Sequence, residues 1–238
     1  AQGHFSRSGY WGQSQGGWVA PLAATRSKVD FVAVGFGLVT SPIDEDREQM
    51  LLEAETLGLN DHEAAEIRKL SGATATIVAS HFTRGFEALE SLRRKTADEK
   101  WVHLVNGEYS GDMLRMSDSD LRRVGRAVFD NLEIIWDYNS TTTLNHLNIP
   151  ILWVIAEQDR QAPIAATTAA LRRFREKGKA IDVYVFPETD HGMYEFVQAP
   201  DGSRRNTRVT EGYFRLIGNW ITGNSQVDYG RALLLPTK

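Results

Sequence analysis

The stretch Gly12-Gln13-Ser14-Gln15-Gly16 sets a serine between two glycines, each two positions away. A serine hydroxyl is a poor nucleophile until a general base takes its proton, and that base in turn needs a carboxylate to fix its orientation. Asp159 and His191 supply both groups further along the chain, in the order Ser, Asp, His. Together the three support attack on a carbonyl carbon and transfer of an acyl group. The backbone N–H of Gln15, the residue after the nucleophile, is the donor expected to face the oxyanion. Glu157 and Asp190 are rival acids. Asp190 ranks last, because sequence neighbours seldom present their side chains to one another in the required way. His4, His62, His81, His103 and His146 stand in segments without a catalytic pattern, and their spacing gives no metal site. No metal or organic cofactor is expected.

Each of the three residues requires an element that ends where it begins to act. "SGYW" is strand-like and "GWVAPLAAT" is compatible with a helix, so Ser14 falls on a tight strand-to-helix turn. Such a turn strains the serine backbone, and glycines at both flanks are expected to prevent Cβ clashes between strand and helix. The helix N-terminus behind it favours developing negative charge. "VDFVAVGFG" (29–37), "ILWVIAEQD" (151–159) and "IDVYVFPETDHG" (181–192) are apolar enough for strands buried on both faces. In a parallel sheet, Asp159 and His191 would then leave the same edge as Ser14.

The remaining segments sort by period. Residues 44–148 are helical in pattern and too long for an ordinary crossover, which predicts a helical cap over a substrate pocket. Asn60 and Glu63 form a capping-box start, and Leu121, Val124, Val128, Leu132 and Ile135 keep helical spacing on one face. Helices are also predicted over 162–177, ended by Gly178, and over 207–221, where Tyr213, Leu216, Ile217, Trp220 and Ile221 recur at core spacing. The division is thus a core of 1–43 and 149–222, a cap of 44–148 and a tail of 223–238 without clear periodicity. Trp11, Trp18, Phe36, Phe82 and Trp136 are candidates for pocket or cap positions.

Composition removes several classes. The 238 residues are 42% hydrophobic, enough for a sizeable core. Lys and Arg number 27 against 31 Asp and Glu, and the net charge of −4 gives no reason to expect a nucleic acid or an anionic membrane as partner. The pairs Arg122, Arg123 and Arg204, Arg205 are expected on solvated faces. Cysteine is absent, which excludes disulfides, thiolate metal sites and a thiol nucleophile. No apolar run approaches the ~20 residues of a membrane-spanning helix. "AQGHFSRSG" has neither an initiating Met nor an apolar signal region, so the chain is expected to be processed or a fragment, and its compartment stays open.

"GYWGQSQGGWVAPLAA", "IPILWVIAEQDRQAPI" and "VFPETDHGMYEF" resemble an α/β-hydrolase serine esterase of the dienelactone-hydrolase and prolyl-oligopeptidase-like branch. The resemblance spans most of residues 8–221, strongest at these motifs. It implies Ser14 as nucleophile, Asp159 as orienting acid and His191 as general base, with small carboxylic esters as substrates. A serine peptidase, a thioesterase or a non-catalytic binding protein of the same fold are the competing expectations. The chain departs from the family at its start: strands usually precede the nucleophile, and one of their loops supplies a second oxyanion donor. The fold expected is therefore an α/β-hydrolase fold with an N-terminally truncated, mostly parallel sheet. The strand before Ser14 would be a raw edge, which predicts a homodimer or complementation by an N-terminal segment.

Overall fold

The computed structural model describes residues 7–224 and 228–236. The chain divides into two compact units, one formed by residues up to Thr40 and from Asn139 onward, the other by Ser41–Tyr138.

The first unit is an α/β fold with a mostly parallel central sheet. Strand β1 (Gly9–Gln13) turns into helix α1 (Gly16–Ala24), followed by β2 (Phe31–Gly35). The five residues of β2 are all buried, as a strand covered on both faces requires. The second unit is inserted in the sequence between β2 and α7 of the first. The intervening helices of the second unit are α2 (Pro42–Thr56), α3 (Asp61–Ala79), α4 (Phe86–Lys95), α5 (Ser110–Arg115) and α6 (Asp118–Phe129). Then come α7 (Ser140–His146), β3 (Ile151–Ala156), α8 (Ala165–Glu176), β4 (Ile181–Phe186), the short β5 (Thr189–Asp190), β6 (Tyr194–Gln198), β7 (Arg204–Val209), α9 (Tyr213–Thr222) and β8 (Leu233–Leu234). The order across the sheet is β1-β2-β3-β4-β8, with the first four strands parallel and β8 antiparallel. A separate antiparallel sheet joins β5, β6 and β7.

The period of two along each strand divides the core. Val32, Val34, Trp153 and Ile155 pack with Ala20 of α1, Leu144 of α7 and Leu171 and Phe174 of α8. Ala33, Leu152 and Val154 pack with Tyr213, Leu216 and Ile217 of α9. Each fully buried side chain of this kind stabilises the fold by about 1.5–3 kcal/mol. Pro21, inside α1, has no N–H to give the carbonyl of Gly17. That carbonyl accepts instead from Ser140 Oγ at 3.3 Å, which ties α7 to α1. The Ser140 N–H also bonds Val39 O at 3.0 Å.

The second unit is helical and has its own core, centred on Met50, Ile67, Leu70, Ile77, Leu89, Trp101, Met113 and Leu121. Capping boxes start α2 at Ser41 with Asp44, and α3 at Asn60 with Glu63. Each cap is worth about 1 kcal/mol. Asp46, fully buried, accepts from the N–H groups of Tyr109 and Ser110 at 3.0 Å and from the Ser110 hydroxyl at 2.5 Å, holding α5 against α2.

Four expectations need correcting. The helix expected over 207–221 begins at Tyr213, because Thr207–Val209 belongs to β7 and Gly212 is left-handed, at φ 90°. The strand from 181 is not buried throughout: Asp182 is exposed, and among the described residues only the two-residue β8, formed by the tail, lies beyond β4. The apolar face from Leu121 stops early. α6 ends at Phe129, and Leu132 and Ile135 are 80% and 64% exposed. Arg122, Arg123 and Arg205 are exposed, whereas the Arg204 side chain is only 10% exposed and ion-paired.

Candidate active site

Ser14 follows β1 with φ at 51°, a left-handed value rare for a side-chain-bearing residue. Its N–H donates to Gly35 O at 3.0 Å and its carbonyl accepts from Gly17 N at 2.8 Å, so both sides of the turn are pinned. Holding such a conformation costs about 1–3 kcal/mol, which the surrounding packing must offset. A Cβ on Gly12 would lie 2.7 Å from Gly16 Cα, so strand and helix approach only because Gly12 lacks one. The same expectation fails at Gly16, where a Cβ would meet open space. The second close approach belongs to Gly17, 2.8 Å from Leu38 O by the same measure. The helix has already turned position 16 outward, leaving position 17 to face the loop after β2. The Gln15 N–H finds no acceptor among the described residues, and no side chain caps the start of α1.

Asp159 and His191 come from strands further across the sheet, beyond β2. Asp159 follows β3, its side chain only 1% exposed, and His191 follows β4 and β5. Asp159 Oδ1 accepts from the N–H groups of Gln161 and Ala162 at 3.0 and 2.7 Å. Its Oδ2 lies 2.9 Å from His191 Nδ1. An ionised carboxylate only accepts, so the ring proton sits on Nδ1 and Nε2 keeps its lone pair. Phe36, itself at φ 40°, meets the imidazole edge-on with centroids 5.0 Å apart. Under the turn, Gln13 Nε2 donates to Tyr213 OH at 3.1 Å. Burial pushes the Tyr213 phenol up to about 12 against that hydrogen bond, so it stays neutral.

The structure thus brings Asp159 and His191 into contact, and β1, β3 and β4 run parallel, so Ser14 leaves the same sheet edge as they do. Ser14 Oγ forms no hydrogen bond with His191 in this state. Bonds of this kind often tighten only with substrate bound. Glu157 is exposed and accepts from Glu188 N at 3.3 Å, and Asp190 turns one carboxylate oxygen to backbone N–H groups and the other to Arg204. Trp11 is exposed against Phe214, and Trp18 donates to Thr40 O. Phe82 and Trp136 pack within the helical unit. His81 pairs with buried Asp130, His146 bonds Thr142 O, His62 and His103 are exposed, and His4 lies outside the described residues. Among the described residues no group of three or more metal-ligating side chains converges. Sequence reasoning missed the surroundings of Asp190 and Arg204, whose pairing depends on how the hairpin β6–β7 folds back.

No family model matches the chain, and no curated protein matches it. Among solved structures, the chain is similar to homoserine O-acetyltransferase from Bacillus anthracis at 14% identity and a TM-score of 0.35, covering 77% of this chain and 54% of that one. The chain therefore spans about half the length of that structure. No described helix is long and apolar enough to cross a membrane.

Proposed function

We propose that this chain is a serine hydrolase of the α/β-hydrolase type, a carboxylesterase that cleaves small esters through an acyl-enzyme on Ser14. The observation that carries the reading is the Asp159–His191 pair at 2.9 Å, set on the sheet edge that the strained Ser14 turn also leaves. In this reading Ser14 Oγ attacks the ester carbonyl carbon while its proton passes to His191 Nε2. The oxyanion of the tetrahedral intermediate accepts from the Gln15 N–H. Collapse expels the alcohol, which takes the proton from Nε2, and leaves the acyl group on Ser14. Water then attacks with Nε2 again as base, releasing the acid and restoring the hydroxyl. Asp159 keeps the imidazole in the tautomer that both steps use.

A fluorophosphonate probe should label Ser14 alone, and short-chain chromogenic esters should turn over. Ser14→Ala and His191→Ala should each remove nearly all of that turnover, about 10⁶-fold in well-evolved triads. Unlabelled wild-type protein would sink the reading. A panel of esters, thioesters and aminoacyl amides ranks the esterase against its thioesterase and peptidase alternatives.

The same reading extends to assembly. Ser8 O and Ser14 N bond toward β2, so strand alternation aims the backbone of Gly9, Trp11 and Gln13 at an edge that no described strand covers. That edge carries no charge or proline to guard it, which supports pairing with a second copy about a two-fold axis.

A further inference from the structure

The loops that carry the acid and the base are joined by a third carboxylate. Asp190 Oδ1 accepts two backbone N–H groups, that of Arg160 at 3.0 Å and that of His191 at 2.8 Å. The first belongs to the residue next to Asp159, the second to the base itself. One oxygen therefore spans both loops. Asp190 Oδ2 receives Arg204 Nη1 at 2.7 Å, and the same guanidinium donates to Gln158 O at 2.7 Å and Gln158 Oε1 at 3.0 Å. Gln158 precedes Asp159, so the backbone on both sides of the acid is held from Asp190 or from its ion-pair partner. Arg204 lies over the Phe196 ring, 3.8 Å from its centroid, and Arg160 Nη1 donates to Gly202 O at 2.9 Å. The hairpin β6–β7 is thereby strapped to the acid loop.

We infer that Asp190 is a positioning residue: with Arg204 it fixes the separation of Asp159 and His191 by holding the backbone of both loops. The inference rests on the proposed function for its catalytic meaning, although the contact it concerns exists without substrate. The two loops also meet where Gln158 N–H donates to Thr189 O at 2.9 Å and Glu188 N–H to the Glu157 carboxylate at 3.3 Å, but among the described residues only the Asp190 carboxylate joins the N–H of His191 itself to that of the residue after Asp159. A charge-assisted acceptor shared by two N–H groups restrains their relative displacement more than a neutral one would. Arg204 neutralises the carboxylate, so the restraint adds no unpaired negative charge beside the base. A misplacement of about 1 Å between catalytic groups is enough to cost on the order of 100-fold in rate.

The test reads the resting protein and the working one separately. In ¹H NMR the proton between His191 Nδ1 and Asp159, 2.9 Å apart, should give a low-field signal in the wild type. Asp190→Ala should broaden or abolish it and lower kcat by about 10–100-fold, counted per site titrated with fluorophosphonate, with KM nearly unchanged. Asp190→Asn keeps a carbonyl acceptor for both N–H groups and should restore the signal and most of kcat. A purely structural role would lower the titratable fraction and leave kcat per site alone, which would overturn the inference. So would an unchanged signal in Asp190→Ala. If that variant does not fold, Arg204→Lys replaces it: the charge stays but the fork spanning Asp190 and Gln158 is lost. The same broadening is expected there, and an unaltered signal again overturns the proposal. If the wild type cleaves no ester, the proposed function fails, while the NMR signal still decides the positioning role.

Discussion

At Gly12 the volume a side chain would occupy is already taken by the backbone of Gly16, whereas at Gly16 it is free. Gly12→Ala should therefore destabilise the protein by about 1–3 kcal/mol and impair Ser14 labelling, while Gly16→Ala should leave both near wild type. Thermal unfolding with active-site titration checks this, and equal effects at the two positions would refute the close-approach account. The acid yields a second contrast. Asp159→Asn should lower kcat by up to about 10⁴-fold with the fold intact, because the imidazole loses the partner that fixes its tautomer. Glu157→Gln should do far less, its exposed carboxylate meeting only the Glu188 N–H. The reverse ranking would move the acid to Glu157. The turn at Ser14 was legible from its flanking glycines, and the positions of Asp159 and His191 a few residues beyond β3 and β4 were legible because the apolar runs of those two strands are local. Asp190 and Arg204 were not, since nothing local marks Arg204 as folding back beneath the acid loop rather than facing water like Arg205.

Among the elements, β2, β3 and β4 were the most legible, because buried β-branched runs announce themselves without help from their neighbours, whereas β6, β7 and β8 carry no such run and were not read. The misread helix start at Thr207 shows where that ends. Its apolar spacing is real from Tyr213 onward, but the residues before it pair with β6, a choice made by the hairpin rather than by local propensity. In the helical unit, Glu66 of α3 is buried and held by Lys69 and by Lys95 of α4, both at 2.8 Å. These lysines, through hydrogen bonds first, lower its carboxyl from 4.5 to about 2. A depressed carboxylate contributes stability that is complete above about 4.5 and lost as the pH falls toward 2. Glu66→Gln should thus unfold at a lower temperature than wild type at pH 7, and the gap should narrow between pH 4.5 and 2. A gap independent of pH would exclude the ion pairs as its source.

On the scale of the whole molecule, the edge at β1 sets the expected behaviour in solution. Trp11, on the strand whose outer backbone no described strand pairs, is 47% exposed, and Val19 in the following helix α1 is 63% exposed. Light scattering at micromolar concentration should report a dimer. Trp11→Lys, which places a charge on the edge, should shift it to monomer. A wild-type monomer with full activity would falsify the assembled form.

Each unit pairs its own two chain ends where the insertion begins and finishes: within the first, Ser140 N bonds Val39 O, and within the second, Ile43 N bonds Trp136 O at 3.3 Å. This bears on the order of folding. Strands β2 and β3 are neighbours in the sheet yet lie on opposite sides of the insertion, so pairing them from an unfolded chain means closing a very long loop. Once Ser41–Tyr138 has folded around its own core, its two ends emerge together and the closure becomes that of a short turn. The entropy thus spared, about 2 kcal/mol from the logarithmic dependence on loop length, favours a sequence in which the helices form first and the sheet that positions Ser14, Asp159 and His191 zips up after them.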